Sequence, residues 1–228
     1  MHVEIWSDIA CPWCYLGKRR FEAALAGFEH RDRVTVTWRS FELDPTAPRH
    51  REAGAAEHLA GKYGMTVEQA QARLDHMTEL AAADGLDYRF DLQRGGNTFD
   101  AHRLLHLGAA HGVQDAVKER LLRGYFTEGA AIGDPATLER LAVDAGLPED
   151  AVRDVLATDR YGQEVREDER TAAALGISGV PFFVVDRRIA VSGAQPPEVL
   201  GELLRRGMPA EPAIPTVVGG ESCGVDGC

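Results

Sequence analysis

Cys11 and Cys14 enclose Pro12 and Trp13, and this run carries the clearest chemistry in the chain. Two thiols this close can shut a small disulfide ring and so carry two electrons. Pro12 suits the first turn of a helix, where no backbone donor is needed, which puts Cys11 at a helix N-terminus. Free N–H groups and the positive dipole end there favour a sulfur anion. Cys11 is then the outer, attacking residue. Cys14, one turn on and deeper, resolves the mixed disulfide that the attack leaves.

A lone Cys-x-x-Cys is also half of a zinc site. The other cysteines, Cys223 and Cys228, stand at the far end of a Pro- and Gly-rich tail and are spaced more widely than a zinc knuckle. A structural staple would need neither Pro nor Trp between its cysteines. The redox reading is preferred on these grounds. No metal site is expected, since His50, His58, His76, His106 and His111 show no ligand spacing with cysteine.

The dithiol needs elements to hold it. Val3-Glu4-Ile5-Trp6 alternates as a strand, and a helix follows to Leu25, with Leu16, Arg20 and Ala24 on one stripe and Phe21 and Leu25 beside it. Val34 to Trp38 reads as a second strand, continuing through Ser40 to Leu43 until Asp44-Pro45 ends it. Strand, helix, strand is a parallel crossover unit. From about residue 50 to 176 the period becomes helical. Segments are expected at 51–63, from Thr66 to before Gly85, at 98–111 from an Asn97-Thr98 cap, at 114–127, from Pro135 to near Gly146, from Pro148, and at 161–175. Strand signal returns in Pro181 to Asp186, turns at Arg187-Arg188, and pairs back through Ile189 to Ser192. Pro197 opens a last helix to about Arg206. The expectation is an α/β chain in which 1–48 and 177–208 form one domain. A helical domain at 49–176 interrupts it, and 209–228 is a tail.

The 228 residues are 44% hydrophobic, enough for a sizeable core. A net charge of -11 argues against nucleic acid or an anionic membrane as partner. Residues 1–10 carry Glu4 and Asp8 and lack a basic and then apolar leader, and no apolar run is long enough to span a bilayer. A cytoplasmic location is expected, where a Cys-x-x-Cys pair is more often catalytic than structural.

The order of elements resembles the DsbA family, a thioredoxin fold with a large inserted helical domain. Four segments carry the resemblance: Ser7 to Gly17 around the dithiol, Asn97-Thr98-Phe99-Asp100-Ala101-His102-Arg103, Gly179-Val180-Pro181-Phe182-Phe183-Val184, and Ser192-Gly193-Ala194-Gln195. They are most similar to the FrnE-like oxidoreductases, relatives of 2-hydroxychromene-2-carboxylate isomerase and of kappa-class glutathione transferases. The resemblance implies that Pro181 is a cis proline facing the dithiol, with the backbone of Val180 offered to substrate. An ordinary Pro at the start of a strand is the alternative. Asn97 and His102 match a motif of the isomerase branch and become candidate substrate-binding residues; a helix cap and a helix-face residue are their plainer readings. Trp13 and Tyr15 either line the binding surface or pack. Asp8 is read as a local cap in preference to a carboxylate that tunes the thiols. Some FrnE-like proteins carry a second pair near the C-terminus, so Cys223 and Cys228 are expected to be an auxiliary redox pair.

The isomerase and transferase branches place serine where Cys11 stands, so cysteine here points to redox work. The implied activity is that of a protein disulfide oxidoreductase or isomerase, acting on protein or small-molecule thiols and disulfides. No organic cofactor is expected to be built in, and glutathione is a candidate co-substrate. The non-enzyme alternative is a zinc-binding or chaperone-like module that uses the helical domain as a clamp.

Overall fold

The computed structural model describes residues 1–208. The tail cysteines Cys223 and Cys228 lie outside the described residues.

Strand β1, His2–Ser7, is buried on both faces from Val3 onward, which suits a central strand. It lies between β2, Thr35–Ser40, in parallel, and β3, Phe182–Val185, in antiparallel. Ile5 stands opposite Trp38 on one side and Phe183 on the other. Strand β4, Ile189–Ser192, closes the β3 hairpin, so the sheet runs β2-β1-β3-β4. Period-2 alternation divides the two faces of β1. Val3 and Ile5 join Phe21, Phe183, Leu200 and Leu204 in a core that takes in α1, Pro12–Ala26, and α9, Pro197–Gly207. Trp6 turns the other way, into a smaller cluster with Ala172, Ile177 and Val184.

Seven helices stand between β2 and β3: α2 Ala55–Tyr63, α3 Val67–Ala83, α4 Phe99–Ala110, α5 Gln114–Phe126, α6 Pro135–Asp144, α7 Glu149–Ala157 and α8 Gly162–Ala174. The largest core cluster is theirs, with Leu104, Leu121, Leu138 and Val152 fully buried. That cluster also takes in Ile9, Tyr15 and Leu16 from the dithiol segment. Helix α1 is therefore wedged between two cores, Phe21 and Ala24 in one and Tyr15 and Leu16 in the other. Burying an aromatic or leucine side chain in this way is worth about 1.5–3 kcal/mol, and it fixes the helix that carries both thiols.

Among the boundaries that differ from the expected ones, three have a clear local reason. Strand β2 stops at Ser40, not Leu43, because the Leu43 N–H turns away to the Asp8 carboxylate at 2.8 Å. Helix α2 begins at Ala55, not 51, because the Arg51 N–H bonds the Gly95 carbonyl at 2.9 Å instead. Pro148 caps α7 from outside, and the helix proper opens at Glu149. Among the described residues no helix is long and apolar enough to cross a membrane.

Candidate functional site

Cys11 is the N-cap residue of α1 and Pro12 its first helical residue, so the thiol sits at the helix end. No acidic side chain lies in the first turn to offset the dipole. Both cysteines are free thiols. Cys11 is 3% exposed and Cys14 0%, so both are buried and Cys11 is the more accessible. Trp13, between them, is 45% exposed.

The loop before β3 lies against this pair. The Val180–Pro181 bond is cis, and Cys11 Sγ donates to the Val180 carbonyl at 3.6 Å. The loop is held from two sides. Gly193 takes φ +83°, and its N–H reaches the Pro181 carbonyl at 2.8 Å. Arg20 of α1 donates to the Ala194 carbonyl at 2.8 Å and to Asp84 at 3.0 Å. On the far side Tyr88 donates to the Pro12 carbonyl at 2.6 Å and stacks on Tyr15 and Phe126. Neither Arg20 nor Tyr88 stood out as a site residue in the sequence, because one lies in a helical stripe and the other in a connection.

Asp8 caps the Ala10 N–H locally, and its carboxylate also reaches far along the chain. Its carboxylate is buried and accepts from the Leu43 N–H at 2.8 Å, the Ala10 N–H at 3.3 Å and His102 Nε2 at 3.2 Å. Burial works to raise its carboxyl, but the bonds from His102, the Leu43 N–H and Thr98 outweigh it and hold the group below the usual range. Burial lowers the His102 imidazole, with Asp8 opposing, so the pair is a carboxylate and a neutral ring. Among the described residues His102 Nδ1 has no hydrogen-bond partner. His102 thus reaches the dithiol segment through Asp8, three residues before Cys11. Asn97 is further removed. It accepts from the Phe99 N–H at 2.9 Å and donates to the Ala47 carbonyl at 3.3 Å, pinning the chain after β2 to the start of α4.

This pairing has a pH signature. His102 is lowered from 6.5 in the fold, so the unfolded chain takes up that proton more readily. Its contribution is complete above pH 6.5 and is lost as pH falls. Asp8, lowered from 3.8, acts in the same direction further down. The thermal midpoint is expected to fall as pH drops below 6.5, and His102→Gln to flatten that limb. The more exposed His58, also lowered, leaves a residual slope. A melting series across this range, with identical slopes in the two proteins, would show that His102 is not buried neutral.

Burial pushes the Cys14 thiol well above its usual value, and contact with the Cys11 side chain adds to this; Lys118 and the Asp8 N–H oppose it. Cys14 therefore stays a protonated thiol behind Cys11 until something removes its proton. Beside Pro12 a cleft opens toward α2, with Arg51, His58 and Lys62 on its wall and Asp44 facing them. Among the described residues no group of three or more His, Cys, Asp or Glu side chains is arranged to hold a metal.

A family model of the DSBA-like thioredoxin domain matches residues 2–205. The crystal structure of a probable DsbA oxidoreductase from Streptomyces coelicolor is 50% identical, covering 100% of this chain and 98% of that one, with a TM-score of 0.87. The cytosolic disulfide reductase DsbM from Pseudomonas aeruginosa, solved with GSH, is 18% identical over 90% of this chain and 98% of its own, with a TM-score of 0.64. A 2-hydroxychromene-2-carboxylate isomerase is 16% identical over 90% of this chain and 95% of its own, with a TM-score of 0.63. The two distant structures share the fold.

Proposed function

The chain belongs to the DSBA-like thioredoxin domain family, and we propose that it is a thiol–disulfide oxidoreductase in which Cys11 attacks, Cys14 resolves and the Val180–Pro181 backbone receives the substrate. The observation that carries this reading is the placement of Cys11 Sγ at a helix N-terminus, 3.6 Å from the Val180 carbonyl, with Cys14 buried behind it. Attack by Cys11 on a substrate disulfide forms the mixed disulfide and releases one thiolate. The Val180 carbonyl is free to accept from a substrate chain once the Cys11 thiol no longer donates to it. The substrates proposed are protein disulfides and small disulfides such as oxidised glutathione. Arg51 and Lys62 on the cleft wall suit a ligand with carboxylates. The isomerase and transferase reading is disfavoured by the second thiol at Cys14, which those chemistries do not need.

The test is equilibration of the reduced protein with mixtures of reduced and oxidised glutathione, followed by acid quench, alkylation and mass analysis. A Cys11–Cys14 disulfide is expected, with any glutathione adduct confined to Cys11. A protein that stays a dithiol in oxidised glutathione, or that carries the adduct on Cys14 first, sinks the assignment. Fractionation of the host cell tests the cytoplasmic setting included in this proposal.

A further inference from the structure

Lys118 has no part in the chemistry so far. It lies on the inward stripe of α5 with Leu121, Leu122 and Tyr125, a position where the helix otherwise puts apolar side chains. It is fully buried, and among the described residues its Nζ has no hydrogen-bond partner. A buried unpaired ammonium is costly, so such a lysine calls for a reason.

Its neighbours supply one. Helix α5 meets α1 through Lys18, which stands one turn after Cys14 on α1. Lys18 Nζ lies 2.9 Å from Glu119, next to Lys118 on α5, and 3.4 Å from Asp115, three residues before it. Both lysines stand over the Trp38 ring, Lys18 at 5.9 Å and Lys118 at 5.5 Å from its centroid. Lys18 is satisfied by Glu22, Glu119 and Asp115. Lys118, over the same ring, has no such carboxylate among the described residues, and Cys14 is the first of the charged groups that act on it. The other charged or titratable groups around it are Cys11 and Lys18 on α1, Asp8 before α1, and His102 on α4.

We propose that Lys118, as the neutral amine, is the proton acceptor that turns the buried Cys14 thiol into the resolving thiolate. The proposal rests on the oxidoreductase reading and names the base for its second step. In the mixed disulfide, Cys11 Sγ is bonded to the substrate sulfur. The Lys118 amine takes the Cys14 proton, through a lysine rotamer or one intervening water. Cys14 sulfur attacks Cys11 Sγ, the Cys11–Cys14 bond forms, and the bond to the substrate sulfur breaks. The electron pair leaves on the substrate thiolate, and the Lys118 ammonium returns the proton to it or to solvent. Two electrons pass from the dithiol to the substrate disulfide. In the reverse direction the same ammonium protonates Cys14 as it leaves. Burial lowers the Lys118 amine to about 8, with Cys14 and Asp8 opposing, so a neutral fraction is present near neutrality.

The experiment follows thionitrobenzoate release after reduced protein is mixed with dithiobis(nitrobenzoate). The full-length chain carries Cys223→Ser and Cys228→Ser, so that only the site pair reacts. The first release reads attack by Cys11, and the second reads resolution by Cys14. Absence of the first release defeats the oxidoreductase reading itself. With the first release intact, Lys118→Met is expected to slow the second by about 10²-fold. Lys118→Arg, which keeps the charge but cannot give up its proton, is expected to be equally slow. A second release at the unaltered rate in Lys118→Met overturns the proposal. So does full rescue by Lys118→Arg, which would reduce Lys118 to a positive charge. Should neither variant fold, the parent decides: its second-release rate is expected to climb with pH and level near about 8. A rate that climbs without levelling across the alkaline range also overturns the proposal.

Discussion

Cys11→Ser is expected to drop thiol–disulfide exchange to the uncatalysed background, while Cys14→Ser accumulates substrate on Cys11. A serine oxygen cannot form the mixed disulfide, so the first variant has no route into the reaction. The fold should persist, because serine is close to cysteine in size and its hydroxyl can donate to the Val180 carbonyl as the thiol does. The second variant keeps the attacking thiol at the helix end but lacks the sulfur behind it. Its mixed disulfide then waits for an outside thiol. Insulin reduction with a thiol reductant measures the first loss, and mass analysis of the purified protein measures the second. Turnover by Cys11→Ser at the parent rate would remove Cys11 from the chemistry altogether.

Gly17→Ala is expected to damage activity without touching either cysteine. Gly17 sits on α1 under the Pro181 loop, and a Cβ there would lie 2.8 Å from Pro181 Cγ, 3.4 Å from its Cβ and 3.5 Å from Phe183 Cζ. Phe183 is fully buried, so the strain falls on the loop. Overpacking of this kind costs about 1–3 kcal/mol. A loop moved by about 1 Å from Cys11 lowers kcat/KM by about 10²-fold. The control is Gly61→Ala on α2, where a Cβ would meet nothing within 4 Å. That change should leave activity alone and stabilise the helix by about 0.5–1 kcal/mol. Urea unfolding and insulin turnover on both variants make the comparison. Equal activity in Gly17→Ala and the parent would mean that the loop position is not limiting.

The fold was largely legible because its signals are local. The helix from Pro135 and the hairpin from Phe182 to Ser192 follow from proline placement, apolar period and a turn. The dithiol was legible for the same reason, since its chemistry lies in adjacent residues. What failed was any residue whose role depends on a distant partner. Asp8 reads as a local cap and does hold the Ala10 N–H, but its bonds to Leu43 and His102 lie far along the chain and leave no local signal. Tyr88 lies between helices and carries no motif, yet it holds the Pro12 carbonyl. Lys118 is flanked by Val117 and Glu119 in a helix with charges on every side, and only the packing of α5 against α4, α6 and β2 turns it inward. The family resemblance names His102 and Asn97 together, and the structure gives them different partners. One bonds Asp8, and the other pins a connection.

The exposed indole between the two thiols has a spectroscopic consequence. The chain has three tryptophans, and Trp6 and Trp38 are shut away from water while Trp13 is not. A neutral collisional quencher such as acrylamide therefore reaches one emitter out of three, and that emitter sits between the reacting sulfurs. The quenchable fraction of the emission belongs to the mouth of the site. Its shielding by a bound peptide, or its change when the neighbouring sulfurs join, can be followed in real time on the unlabelled protein.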